Sequence, residues 1–410
     1  MIRSAVLIFL LCGTFAASAA DWPFWRGPHR NGIAESGQDP PTEFGAKKNV
    51  LWSADVPGRG HGSPAVVGGR VFLAVADEGA QTQSLLCLDR ASGERRWLTE
   101  IHRGAFPEAN QKASHASSTP ACDGERVFIT FVNAGAAHVT ALSVDGEQLW
   151  QKTITPYVIH QGYGSSPTLY QHLVIVSADN KSGGAIAAYD RVTGEEAWKV
   201  GRPKLPNYAS PTVLAIGGRD QLVFQGCERV TSLDPLTGET HWEHEGATTE
   251  CVGSLTTDGK HVFTSGGYPK NHIAALVADG SGTVTWENIS RVYVPSMVVH
   301  DGYLFAVMDN GVASCWDTAT GEQMWKERLG RTTSSSLVLV GDHFYSADEE
   351  GQFSVFAADP QHFEVIAQNQ LGDETLSTPA ICDSQIFARV VEKDANSRQE
   401  KLYCLARNPD

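Results

Sequence analysis

The sequence predicts an all-β chain folded as an eight-bladed β-propeller of four-stranded antiparallel blades. Three observations predict it: a turn phrase that recurs every 40–50 residues, a Ser/Thr-Pro phrase that opens each repeat, and the absence of helical periodicity after the first twenty residues. The turn phrase reads Asp-x-x-x-Gly-Glu-x-x-Trp. It runs from Asp89 to Trp97, Asp190 to Trp198, Asp234 to Trp242 and Asp317 to Trp325, with altered copies ending at Trp150 and Trp286. From Trp52 onward the Trp-to-Trp steps are 45, 53, 48, 44, 44 and 39 residues, the spacing of one sheet per repeat.

Each repeat supplies four strands in order. The first follows Ser63-Pro64, Thr119-Pro120, Ser166-Pro167, Ser210-Pro211 or Thr378-Pro379, with degenerate copies at Ser254-Leu255, Ser296-Met297 and Ser335-Ser336. The second is a run such as Arg70 to Val75 or Tyr303 to Val307, and the third a run such as Leu85 to Leu88 or Ala185 to Tyr189. Both are rich in β-branched, aromatic and small apolar residues and are fenced by Gly, Asp and Asn. The fourth strand carries the Trp, whose ring is expected to pack toward the neighbouring sheet. Trp52, Trp97, Trp150, Trp198, Trp242, Trp286 and Trp325 are therefore read as structural. The Gly of the turn supplies a positive φ that a β-branched residue could not adopt.

The opening phrases count eight repeats. The last ends at Tyr403-Cys404-Leu405 without a Trp strand, and Asn49 to Ser53 has the look of the missing piece. Joining it to the last blade closes the ring and leaves short, protected edges. Repeat seven has lost its Trp, and Phe363 to Leu371 is expected to hold its outer strand.

The predicted organisation is a signal peptide over 1–20, an aromatic arm over 21–48 and the propeller over 49–410. Arg3, the apolar run Ala5 to Leu11 and the small residues up to Ala20 form a secretory signal with its cleavage site. That run is too short to span a bilayer. The protein is expected in the periplasm or outside the cell, soluble and monomeric, with no transmembrane segment. The arm gathers Trp22, Phe24, Trp25 and Arg26, and is expected to fold back into a groove between blades. A net charge of −15 argues against nucleic acid as a partner. Seven Cys lie beyond residue 20, and their odd number excludes complete internal pairing. Cys87, Cys315 and Cys404 share one third-strand position and read as small buried hydrophobes, and Cys227 and Cys251 sit in adjacent repeats where a bond is one alternative.

These phrases resemble the repeat of pyrroloquinoline-quinone (PQQ)-type propellers, a superfamily that includes the quinoprotein alcohol dehydrogenases and the outer-membrane assembly lipoprotein BamB. The opening Asp21 to Gly32, together with Asn207 to Pro211, resembles secreted proteins of this type in planctomycetes. The resemblance covers the chain beyond the signal and specifies fold more than function. It implies PQQ with Ca²⁺ as the cofactor of the dehydrogenase branch, where two adjacent Cys form a disulfide against the quinone. This sequence has no adjacent Cys pair, which counts against dehydrogenase activity.

Residues shortly before the Ser-Pro phrases are expected to line the mouth of the central channel. They are His61, His115, Tyr163, Tyr208, Glu250 and Tyr293, with Thr333 and Thr375 completing the circle. A Ca²⁺ site wants six to eight oxygens with several carboxylates. Glu250 alone does not meet that, with Glu108, Asp373 and Glu374 nearby only in sequence. His241 and His244 stand three apart on a strand and face opposite sides. Gly58 to Gly62 opens no helix and is no phosphate loop. The expected function is a non-catalytic binding scaffold in the envelope, taking a protein, peptide or glycan on the funnel face and holding no metal. A PQQ oxidoreductase without the disulfide and a BamB-like assembly factor are the alternatives.

Overall fold

A computed structural model describes residues 20–395 and 397–408. The predicted signal peptide lies outside the described residues, except Ala20. The described chain forms eight four-stranded antiparallel sheets and contains no helix. In blade 1 the strands are Ala65–Val67, Arg70–Asp77, Thr82–Asp89 and Arg95–Arg103. Blades 2 to 7 repeat this order over residues 121–156, 168–201, 212–245, 256–288, 298–328 and 338–370. Blade 8 combines Ala380–Cys382, Gln385–Lys393 and Arg398–Leu405 with Val50–Val56, so the ring closes by pairing the first strand of the chain with the last.

Sheets stacked around an axis are covered on both faces, and the burial follows. The second and third strands of blade 1 are buried almost without alternation, whereas its outer strand is largely exposed. In the blades that carry it, the Trp pairs with a small residue of the third strand, as Cys87 with Trp97, Ala188 with Trp198, Cys315 with Trp325 and Cys404 with Trp52. The small residue leaves room for the indole. All seven cysteines of the described chain are buried and unbonded. Cys227 faces Asp179, and Cys251 faces Thr248.

The turn phrase and the Trp turn out to be two halves of one contact between blades. The Asp accepts the amides two and three residues on, as Asp190 does from Val192 and Thr193 at 2.9 and 2.8 Å. The turn then presents its Gly, at positive φ, to the indole of the preceding blade. A Cβ on Gly194 would lie 2.7 Å from Trp150, and one on Gly238 2.7 Å from Trp198. The indole N–H donates to a carbonyl of the same turn: Trp52 to Arg90, Trp150 to Arg191, Trp198 to Pro235 and Trp286 to Thr318, at 2.8–3.2 Å. Trp242 differs and donates to the Gln221 side chain at 2.9 Å.

The seam between blades 7 and 8 is built otherwise. Ala367 occupies the register position of the Trp, opposite Val355. Blade 8 has no turn between its third and fourth strands, because those strands are the two ends of the chain. The arm fills the gap. Phe44 is 4% exposed and meets Phe353 edge-on at 5.7 Å. Its N–H donates to Asn369 Oδ1 at 2.8 Å, and the Asn369 amide donates back to the Thr42 carbonyl at 2.9 Å.

Candidate functional site

A belt of hydroxyls lines the inner end of the blades. The amide of each opening Ser or Thr donates to the hydroxyl of its counterpart in the next blade. The links are Ser63 to Thr119, Thr119 to Ser166, Ser166 to Ser210, Ser254 to Ser296, Ser296 to Ser336, Ser336 to Thr378 and Thr378 back to Ser63, at 2.8–3.2 Å. Among the described residues the link from Ser210 to Ser254 is the one not made. There the indole of Trp25 donates to Ser254 Oγ at 2.8 Å.

Trp25 belongs to the aromatic cluster of the arm, and its position corrects the expectation that this cluster fills a groove between blades, although Phe44, farther along the arm, does sit at such a seam. The arm instead crosses the end of the central channel. Trp22 exchanges two backbone hydrogen bonds with Val66 of blade 1, and the Pro23 carbonyl accepts from Cys122 of blade 2. Arg30 donates to Thr168 of blade 3, Arg26 to the Met297 carbonyl beside blade 6, and Ala34 to the Leu339 carbonyl of blade 7. A chain with many binding surfaces on one axis gains more there than in a single groove. The result is a channel sealed at one end.

The sealed channel is a cavity of about 730 Å³ with Trp25 and the belt hydroxyls at its floor. Of the predicted mouth residues, His61, Tyr163, Tyr208, Glu250, Tyr293 and Thr333 line it. His115 does not: its ring packs on Phe106 at 4.5 Å, away from the axis. Thr375 is buried and donates to the Arg389 carbonyl. Glu374 pairs with Lys393 and Arg398, and Asp373 accepts the Lys393 amide, so neither carboxylate joins Glu250. The sequence does not single out Lys112, His160 and Arg291, which lie on loops between blades, or Asp309 and Glu349, which lie in the tight turns after the second strands of blades 6 and 7.

Glu250 sits in the loop between blades 4 and 5 and is 4% exposed. Thr248 donates to its carbonyl at 2.9 Å, and the next amide, of Cys251, donates to Asn207 Oδ1 at 2.9 Å, which fixes the loop. One carboxylate oxygen accepts from the Tyr293 hydroxyl at 3.1 Å, and the other lies 3.2 Å from His160 Nε2. Tyr293 is held in turn: its amide donates to Asp309 at 2.7 Å, and its Cβ lies so near Gly267 that a methyl there would come within 2.5 Å. Burial raises Tyr163, Tyr208 and Tyr293 above the usual phenol range, and the Glu250 charge adds to it for the last two. Burial also lifts the Asp309 carboxyl. It lowers His61 to about 3, with Arg59 and Arg389 contributing, so that ring is neutral at physiological pH.

A family model described as outer membrane protein assembly factor BamB matches residues 44–97, 81–289 and 269–362. The chain belongs to that PQQ-repeat propeller family. The assembly factor BamB of Burkholderia pseudomallei (strain K96243) is 27% identical over 342 residues, covering 76% of this chain and 81% of the relative. BamB from Moraxella catarrhalis superimposes with a TM-score of 0.60 at 14% identity, covering 86% of this chain and 99% of that one. The quinohemoprotein alcohol dehydrogenase from Comamonas testosteroni gives 0.68 at 15% identity, covering 97% and 82%. A europium-containing methanol dehydrogenase gives 0.64 at 12%, covering 94% and 98%. At such identities the structural likenesses establish the fold alone.

The cavity carboxylates do not fit a Ca²⁺ ion. Among the described residues no group of three or more His, Cys, Asp and Glu side chains could hold a metal ion. Asp309 is committed to the amides of Tyr293 and Val294, leaving Glu250 short of the oxygen set that Ca²⁺ requires.

Proposed function

We propose that this protein is a non-catalytic binding scaffold of the cell envelope, whose funnel face holds a segment of a protein partner. The observation that carries the reading is the sealed channel: a rigid ring presents one blind cavity with an aromatic and hydroxyl wall. Such a wall offers flat apolar area with polar tips, which suits a peptide better than a bulk substrate that must pass through. The signal-like residues 1–20 support export to the periplasm or beyond. The described residues hold no helix long and apolar enough to cross a membrane. Assembly of outer-membrane proteins is the second reading, supported by the family match over residues 44–362.

The test starts with a pull-down from envelope extract. The double change Tyr208→Ala, Tyr293→Ala should weaken the partner by roughly 1 kcal/mol or more, the threshold for a real contact residue. Binding that survives this change but fails when the outer Trp-strand surface is altered would refute the funnel assignment. Addition of PQQ and Ca²⁺ to the purified protein should leave no bound chromophore, and a bound quinone spectrum would restore the oxidoreductase reading.

A further inference from the structure

Among the described residues four Asp and Glu residues are nine-tenths or more buried: Asp179, Glu250, Asp348 and Glu400. Three have the partners such burial demands. Asp179 is paired with Arg202, Glu400 with Arg389, and Asp348 accepts backbone amides from Arg331, Glu350 and Gln352. Glu250 has neither an Arg or Lys partner nor an amide, only the Tyr293 phenol and the His160 imidazole. It is also the one of the four that lines the cavity. Two carboxylate oxygens offer about four acceptor sites, and these two contacts leave capacity unused.

A second group in the same wall is incomplete. Tyr208 is 9% exposed, and its buried hydroxyl makes no hydrogen bond of normal geometry, the Gln161 backbone being the polar group beside it. The Tyr208 amide donates to the carbonyl of Cys251, the residue after Glu250, and the Tyr293 hydroxyl donates to Glu250 itself, so the Tyr208 phenol and the under-coordinated carboxylate share one side of the cavity. The rings of Tyr163 and Trp25 line the same cavity. The two cations of the lining are already engaged: Lys112 is paired with Glu349 at 3.1 Å, and Arg291 donates to the Gly267 carbonyl and lies over the Tyr293 ring.

We infer that this wall is a binding subsite for a primary ammonium group, which donates to Glu250 and to the Tyr208 oxygen between aromatic rings. The inference rests on the scaffold reading and names the group that the cavity takes. A compact ammonium with three donors meets both acceptors, and the ring faces add cation–π attraction. A quaternary ammonium has no donor and leaves both acceptors unmet. A lysine side chain of a partner segment and a free alkylamine share this chemistry.

Calorimetry on the full-length protein separates the cases, with Nα-acetyl-lysine methylamide, the same compound acetylated at Nε, n-butylamine and the butyltrimethylammonium ion as probes. The lysine amide and butylamine should bind, and the Nε-acetylated and quaternary probes should bind roughly tenfold more weakly or not at all, the cost of losing a charged hydrogen bond. Lysine amide binding tighter than butylamine assigns the site to a partner's lysine; the reverse order assigns it to a free amine. Glu250→Gln keeps the shape and should lose roughly tenfold or more for both amines. Tyr208→Phe removes only the cavity oxygen, should lose severalfold, and keeps the inference testable if the Gln variant misfolds. Equal binding of the acetylated and free lysine probes, or no binding of any amine, overturns the subsite. The envelope pull-down with the unaltered protein reads the scaffold separately, so a partner captured by a protein that binds no amine refutes this inference alone.

Discussion

The seam between blades 3 and 4 and the seam between blades 7 and 8 solve one problem with different parts. At the first, Trp198 of one blade docks on the Gly238 turn of the next and donates to its Pro235 carbonyl. Both halves come from the repeat. At the second, the receiving turn cannot exist, because blade 8 is stitched from the two ends of the chain. The Trp is gone too, replaced by Ala367, and Phe44 of the arm packs there with Asn369 as its clamp. At these two seams Trp and turn are retained together and lost together. The seam between blades 6 and 7 is intermediate: Trp325 persists and donates to Asp359 at 2.9 Å, but Phe363, 5.1 Å from its ring, stands where other turns use Gly.

The largest expected effect comes from removing the special seam altogether. Deletion of residues 21–55 takes away the channel plug, Phe44 and most of the strand Val50–Val56, exposing the edge of Arg398–Leu405. Aggregation or loss of cooperative melting is expected; a truncated protein that stays monomeric and melts like the parent would show that three strands suffice in blade 8. Next come single contacts on each side of the comparison. Trp198→Ala and Phe44→Ala should each cost about 3–5 kcal/mol, the usual range for a buried aromatic. Denaturant midpoints check both, and an unchanged midpoint for Phe44→Ala alone would mean that the arm covers the seam without supporting it.

A smaller effect probes the other half of the lock. Gly194→Ala forces a side chain to a φ of 70° and places its Cβ 2.7 Å from Trp150. A loss of about 1–3 kcal/mol is expected from the backbone alone, and Trp150→Ala in the same chain should relieve the steric part. A simple sum of the two single losses would show that the ring and the turn do not interact.

The mildest perturbation is pH. At the seam of blades 1 and 2 the His102 and His138 rings lie 4.9 Å apart, and burial lowers His102 to about 4, with His138 adding to it. His61 is lowered to about 3. The folded chain therefore favours neutral rings, whose contribution to stability is complete above the unfolded value of about 6.5. It declines as pH falls below that, while the unfolded chain binds protons that the native rings refuse, and is lost through the folded values. Melting temperature should drop between about pH 6.5 and 4, and His102→Gln should flatten part of that slope. A slope unchanged in the variant would move the acid sensitivity to other groups.

The repeat was legible because its chemistry is local. An Asp that caps its own turn, a Gly at positive φ and a Trp a fixed distance on are set within nine residues, and their recurrence reveals blade number and strand order. Ring closure was legible for a related reason, since a repeat lacking its last strand and a leading segment of the same type are complementary. The mouth was legible only in part. His61, Tyr163, Tyr208, Glu250 and Tyr293 follow the repeat register to the cavity, but His115 sits in a longer loop that turns it onto Phe106. His160 reaches the site on the loop before blade 3, and Asp309 on the tight turn between two strands of blade 6, neither of which the Ser-Pro phrase marks. The arm shows the limit most clearly. Its aromatic content marked it as buried, but the choice between a groove and the channel depended on contacts with blades hundreds of residues away, such as Arg26 with Met297 and Ala34 with Leu339. By itself, then, the sequence determined the blades, because each is closed by neighbours in the chain. Only the tertiary structure decided that the channel is sealed, that the belt of hydroxyls opens at Ser210 for Trp25, and that Glu250 is left in the wall without a cation. Those features exist only once eight separate segments meet on one axis.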